Sequence, residues 1–174
     1  MSYICVDIES DGPLLGVNSM VCLGAVLIDK DLKLDKTFYA ETAPISNAFN
    51  IDALAISGFS RKEHELFRHP KYAIWEFEMW IEENSKGKPI LLSDNNQYDG
   101  SWINWYFHTY SKKNPFGYSS RRIGDMFAGF MNNPYYSWKK HRKTVADHNP
   151  VNDAKGNAEA LIWLQKEGFN IKFK

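Results

Sequence analysis

Tyr3-Ile4-Cys5-Val6-Asp7-Ile8-Glu9 is an apolar run broken by two carboxylates, and its reading decides the fold. Side chains on a strand alternate between faces, so Ile4, Val6 and Ile8 point one way and Cys5, Asp7 and Glu9 the other. Residues two apart on a strand lie roughly 6.5–7 Å apart. Two like charges that close, set in an apolar run, repel each other and resist desolvation. A divalent cation between them would relieve both costs, because hard metals take carboxylate oxygens as ligands. The alternative is an edge strand with one wet face, on which Asp7 and Glu9 are simply solvated.

Outward from this strand, Ser10-Asp11-Gly12-Pro13-Leu14-Leu15-Gly16 is a loop punctuated by glycine and proline, with Asp11 assigned to the turn at Gly12-Pro13. Residues 20–28 form a second apolar run and 33–41 alternate enough for a third strand, giving a three-stranded meander. A short helix is expected near 52–56, and Ser60 with Glu63 forms a capping box. The spacing predicts a helix over 71–84, with Ile74, Phe77 and Ile81 on one face and Gly87 ending it. Residues 89–93 are a short buried strand, and 99–111 an aromatic-rich helix. Residues 121–125 are expected as a fifth strand, with Asp125 capping a helix from Met126. After a basic, aromatic connection, Asn149-Pro150 opens a last helix reaching about residue 167, where Gly168 stops it. Three strands followed by alternating helix and strand predict an α/β fold, a mixed sheet flanked by helices, with residues 1–174 as a single domain.

The chain is long enough for a sizeable core. No run approaches the ~20 apolar residues of a membrane helix, and the N-terminus lacks the form of a signal peptide. Cys5 and Cys22 both sit in apolar runs, which suggests reduced core thiols and a cytoplasmic protein. Net charge is zero, but residues 112–143 carry eight Lys or Arg against the single acid Asp125, so that stretch is +7 and the remainder −7. Such asymmetry can mark a phosphate-binding surface beside an acidic site, or merely a solvated basic face.

Three places supply the chemistry. Asp7 and Glu9 lie on the first strand, Asp99 just past a buried strand, and Asp153 in the first turn of the last helix, where the helix dipole favours an anion. His148 precedes Asp153 by five residues. Four carboxylates and a histidine are what two-metal hydrolysis of a phosphodiester needs, with two divalent ions roughly 3.5–4 Å apart binding the attacking and leaving oxygens. A histidine, which ordinarily titrates near ~6.5, can take the proton of the attacking water.

In their order and settings these residues resemble the DEDDh exonucleases, which include ribonuclease T, oligoribonuclease and the proofreading subunit of bacterial DNA polymerase. Asp7-Ile8-Glu9 matches the Asp-x-Glu motif, Asn95-Asn96-Gln97-Tyr98-Asp99 the Asn-x-x-x-Asp motif, and His148 followed by Asp153 the third. Gln97 and Tyr98 depart from the small residue and Phe that often precede the second-motif Asp. The resemblance implies an RNase H-like fold with a five-stranded mixed sheet, and a 3′→5′ exonuclease releasing nucleoside 5′-monophosphates. It implies two divalent metal ions, Mg²⁺ or Mn²⁺, with Asp7, Glu9 and Asp153 on one, Asp7 bridging to the second, Asp99 on that second ion directly or through water, and His148 as general base. The substrate would be the 3′ end of single-stranded RNA or DNA. Leu14, Leu15, Asn95 and Tyr98 are the candidates for contacting it, the leucines as an apolar wedge at the terminal base.

Some members of that family are homodimers, so a homodimer is compatible with the resemblance. A non-catalytic nucleic-acid-binding module on the same fold is the alternative. Asp94, Asp125 and Asp147 lie close to the motifs and are assigned to capping or solvated positions. His64, His69, His108 and His141 lack a partner motif and are assigned to surface or packing. The aromatics of residues 102–110, at helical spacing, are assigned mainly to the core, with one or two left for base stacking.

Overall fold

The computed structural model describes residues 1–172. Its centre is one five-stranded mixed sheet in the order β3-β2-β1-β4-β5, formed by β1 Ser2–Ser10, β2 Met20–Ile28, β3 Thr37–Glu41, β4 Pro89–Ser93 and β5 Ser120–Arg122. β1 pairs antiparallel with β2 and parallel with β4, so the strand carrying Asp7 and Glu9 is central. That excludes the wet edge strand.

Six α-helices cover the sheet: α1 Ile51–Ile56, α2 Arg61–Leu66, α3 Pro70–Asn84, α4 Ser101–Tyr110, α5 Ile123–Phe130 and α6 Pro150–Lys166. Alternation in β1 splits the core as its sequence predicts. Ile4, Val6 and Ile8 join Ile74, Phe77, Ile81, Trp102 and Phe107 of α3 and α4. Cys5, on the other face, joins Phe127 of α5 and Ala154, Ala158 and Leu161 of α6. With both faces covered, every residue of β2 is buried. Both cysteines are buried and free. Among the described residues, no helix is long and apolar enough to cross a membrane.

The structure corrects several boundaries. β3 starts at Thr37, because the Asp29 carboxylate accepts from the Asp31 and Lys33 amides, each at 2.8 Å, and holds the preceding segment as a loop. α3 by contrast ends at Asn84, as its spacing predicts, and the Lys86 amide donates to Ser2 Oγ (2.7 Å), drawing the chain back to the start of β1. β5 stops at Arg122, and α5 begins at Ile123 to bury Ile123 and Phe127 one turn apart. Asp125 is therefore inside the first helical turn, paired with Arg122 at 2.7 Å, rather than capping it. The basic connection contains a single 3₁₀ turn, Trp138–His141.

Candidate active site

Asp7 and Glu9 project from the middle of the sheet toward the head of α6. Their partners across the strand pair are Gly24 and Cys22, and the register shifts between Glu9 and Ser10 where the strand leaves the sheet. Gly24 decides how near α6 comes: a Cβ there would lie 2.3 Å from the Pro150 carbonyl carbon. A glycine inside so apolar a strand is itself a sequence signal of close backbone approach. α6 starts where its sequence predicts, with the Asn149 side chain accepting from the Val151 (3.0 Å) and Asn152 (3.3 Å) amides. This delivers Asp153, buried in the first turn, to the same cluster.

Asp99 arrives differently from the expected helix start. Asn96–Gly100 is a π-helical turn ahead of α4, and Asp99 lies buried within it. Its Oδ2 accepts from the Asn95 amide at 3.3 Å. π-Turns recur at functional sites, but nothing local in the sequence marks this one. Burial raises the Asp99 carboxyl to about 7, against the opposing hydrogen bonds from Asn95 and Ser93. Asp7 is raised well above the usual carboxylate range, by burial first and then by Asp99, Asp153 and Glu9. The four acids thus form one electrostatic unit, Asp99 and Asp153 buried and Asp7 and Glu9 half-buried, and so crowded a unit resists full ionisation without a cation.

His148 sits on the exposed lip, with a positive φ of 60° and its Nδ1 3.4 Å from Glu9 Oε1. Burial raises Glu9, and His148 opposes the shift. Asp147 is exposed as expected but also braces this loop, accepting from the Asn149 amide (3.0 Å) and the Asn152 side chain (2.8 Å). Glu9, His148 and Asp153 each offer a ligand atom within 4.8 Å of the other two. The carboxylate oxygens of Asp7, Glu9, Asp99 and Asp153 are hard donors that suit a divalent ion of the Mg²⁺ or Mn²⁺ class, so the donor set fits.

Arg142 belongs to no motif in the sequence. Its Nη2 is 2.6 Å from Asp153 Oδ1, a buried pair inside the cluster. The +7 stretch contains it, but composition could not separate this one buried guanidinium from the exposed Arg121, Arg122, Lys139, Lys140 and Lys143. Lys139 meets Asp94 at 2.6 Å, which gives that acid a partner other than an ion.

Leu14 and Leu15 are 61% and 38% exposed on the β1–β2 loop. Asn95 is exposed at the end of β4. Tyr98 is half-buried, its hydroxyl 2.5 Å from Ser10 Oγ, so it ties the π-turn to the end of β1. Asp11 does not shape the Gly12-Pro13 turn. It is fully buried, accepting from the Ser19 amide at 2.5 Å and pairing with Arg61 at 3.2 Å, and His64 is buried beside it with Nδ1 3.8 Å from Asp11 Oδ2. Trp102, Tyr106 and Phe107 are core, and the Tyr106 hydroxyl accepts from the Met20 amide at 2.7 Å.

No family model matches the chain. Cap18, a 3′–5′ DNA exonuclease of Escherichia coli, is 30% identical over 177 residues, covering 94% of this chain and 91% of that protein. Among solved structures, the nuclease domain of 3′hExo, a DEDDh family member bound to rAMP, superposes with a TM-score of 0.82 at 16% identity, over 99% of this chain and 96% of that one. Exonuclease I of E. coli, in complex with a dT13 oligonucleotide, gives a TM-score of 0.72 at 14% identity, over 95% of this chain and 41% of that one.

Proposed function

Given that the chain belongs to the DEDDh family of 3′–5′ exonucleases, we propose that it degrades single-stranded DNA from the 3′ end by two-metal hydrolysis. DNA is put ahead of RNA because the relative at 30% identity is a DNA exonuclease. The observation that carries the mechanism is the convergence of Asp7, Glu9, Asp99 and Asp153 with His148 at one end of the sheet.

Asp7, Glu9 and Asp153 would hold one divalent ion, Mg²⁺ or Mn²⁺, and Asp99 with Asp7 the second. Ions bound there supply a water nucleophile at neutral pH and offset charge on the leaving oxygen. The protein's own residues do the rest. His148 Nδ1 faces Glu9 at 3.4 Å, which orients the ring and leaves Nε2 to take the proton of the attacking water. Exposure of His148 on the lip lets that proton pass on to solvent. Leu14 and Leu15 present an apolar edge to the terminal base, and Asn95 and Tyr98 flank the Asp99 side of the strand's path. The product would be a nucleoside 5′-monophosphate.

A time course on 5′-labelled single-stranded DNA and RNA of one sequence, with Mg²⁺, Mn²⁺ or EDTA and an Asp7→Asn control, tests this. The expected result is a DNA ladder shortening from the 3′ end, abolished by EDTA and in the variant. Cleavage that persists in EDTA would overturn the metal mechanism, and faster loss of RNA would overturn the sugar preference.

A further inference from the structure

The fold spends unusual effort on delivering Arg142 to Asp153. The guanidinium Nη2 donates to Asp153 Oδ1 at 2.6 Å and lies 3.4 Å from the Asp153 carbonyl oxygen, joining residues eleven apart. The Arg142 side chain is only 10% exposed. It reaches the carboxylate by lying across α6 at Gly156, where a Cβ would stand 2.3 Å from Arg142 Nε and 2.7 Å from Nη2. Among the described residues, Nε has no hydrogen-bond partner. The arginine therefore leaves a buried donor unsatisfied, and its path requires a glycine in mid-helix, both of which cost stability.

The backbone around it is fastened to the same helix. Glu159 Oε2 accepts from the Lys143 amide at 2.8 Å and the Thr144 amide at 2.7 Å, and Thr144 Oγ1 donates to Oε1 at 3.0 Å. Glu159 and Gly156 thus set the origin and the path of the side chain. A helix fixes the backbone of Asp153 but not the rotation of its carboxylate, and the guanidinium supplies that restraint.

We propose that Arg142 is a positioning residue that holds the Asp153 carboxylate in the orientation an incoming divalent ion meets, with Gly156 as the gap through which it acts. This role rests on the metal reading above. The site is then formed before the ion arrives, and Arg142 acts through Asp153 without touching ion or substrate.

Calorimetric titration of Mn²⁺ into the full chain, without nucleic acid, tests this directly, alongside melting temperatures in EDTA. Arg142→Met should weaken Mn²⁺ binding by about 10–100-fold, the usual cost of losing a group that orients a metal ligand. Gly156→Ala keeps both charges but pushes the side chain off its path. It should weaken Mn²⁺ binding in a chain that is still fully folded, the alanine's gain in helix propensity offsetting part of the cost of the lost pair. That separation is what a merely stabilising ion pair would not produce.

Arg142→Lys should fail to restore affinity, because an ammonium lacks the planar geometry. Affinities within about twofold of wild type in both Gly156→Ala and any folded Arg142→Met protein would overturn the role, as would full recovery with lysine. If Arg142→Met does not fold, Gly156→Ala alone decides. A wild-type chain that takes up no Mn²⁺ would overturn the metal reading and the positioning role with it. Binding by wild type but not by Asp7→Asn keeps the two failures apart.

Discussion

Gly24 in β2 and Pro150 at the head of α6 meet backbone to backbone, with room for no Cβ between them: one placed on Gly24 would lie 2.3 Å from both the Pro150 carbonyl carbon and the Val151 amide nitrogen. The atoms in the way are main chain, so neither can swing aside. Gly24 is also the cross-strand partner of Asp7, and Pro150 opens the helix whose first turn carries Asp153. Gly24→Ala should therefore cost about 1–3 kcal/mol in a denaturant titration, as overpacking does. Turnover should fall further than that loss explains, because Asp153 moves away from Asp7. Full activity at unchanged stability would disprove the close approach.

The acid cluster should trade stability for chemistry. Asp7 is pushed above the usual carboxylate range by burial and by Asp99, Asp153 and Glu9. Asp7→Asn removes a half-buried like charge from the cluster, so the variant should be more stable than wild type in EDTA, by ~0.5–2 kcal/mol. Its turnover should fall roughly 10³-fold or more. Paired melting and activity measurements check both signs.

The same cluster sets a pH dependence. Asp99 is raised to about 7, and Asp7 and Glu9 are raised with it. A raised carboxyl keeps its proton in the folded chain after the unfolded chain has released its own. Its contribution to stability is therefore present at low pH and lost as pH rises from about 4 through 7. The buried His64, lowered by burial, has the opposite sign, losing stability as pH falls below ~6.5. Melting in EDTA at several pH values should show Asp99→Asn flattening the fall toward pH ~7. Mg²⁺ should raise the melting temperature more at pH ~8 than at ~5.5, where it must displace protons.

His148 offers a distinct split. It is 64% exposed and pairs with Glu9 at the lip of the site, so its loss should leave the fold untouched. His148→Gln should lower turnover by roughly 10²–10⁴-fold, the range for removing a general base. Mn²⁺ affinity by calorimetry should stay near wild type. A collapse of that affinity would make His148 a ligand instead.

Leu14 is 61% exposed, and the fold gains little from it. Leu14→Ser should leave the melting temperature within about 0.5 kcal/mol of wild type. Binding to a single-stranded 3′ end, measured in Ca²⁺, should weaken about 5–10-fold as the apolar contact with the base is lost. Unchanged affinity would remove the leucine from the substrate's path.

Periodicity and capping are local properties, so they could be read without the fold. β1, β2, β4 and α6 lie where alternation, apolar runs and Asn149-Pro150 put them. Asp7, Glu9, Asp99, His148 and Asp153 were visible because their spacing forms ordered motifs. Gly24 and Gly156 left a weaker local trace, as glycines interrupting a strand and a helix.

What the tertiary structure alone decided is everything that depends on which element lies against which. Only packing makes β1 central, so that Asp7 and Glu9 are half-buried among other acids rather than freely solvated. The π-turn at Asp99 arises from how β4 hands the chain to α4, and the burial of Asp11 and His64 from where α2 docks. Arg142 looks like seven other basic residues in its stretch until Gly156 lets it lie across α6. A side chain's charge is written in the sequence, but its partner and its solvation belong to the assembled fold, and those determine which charges do chemistry.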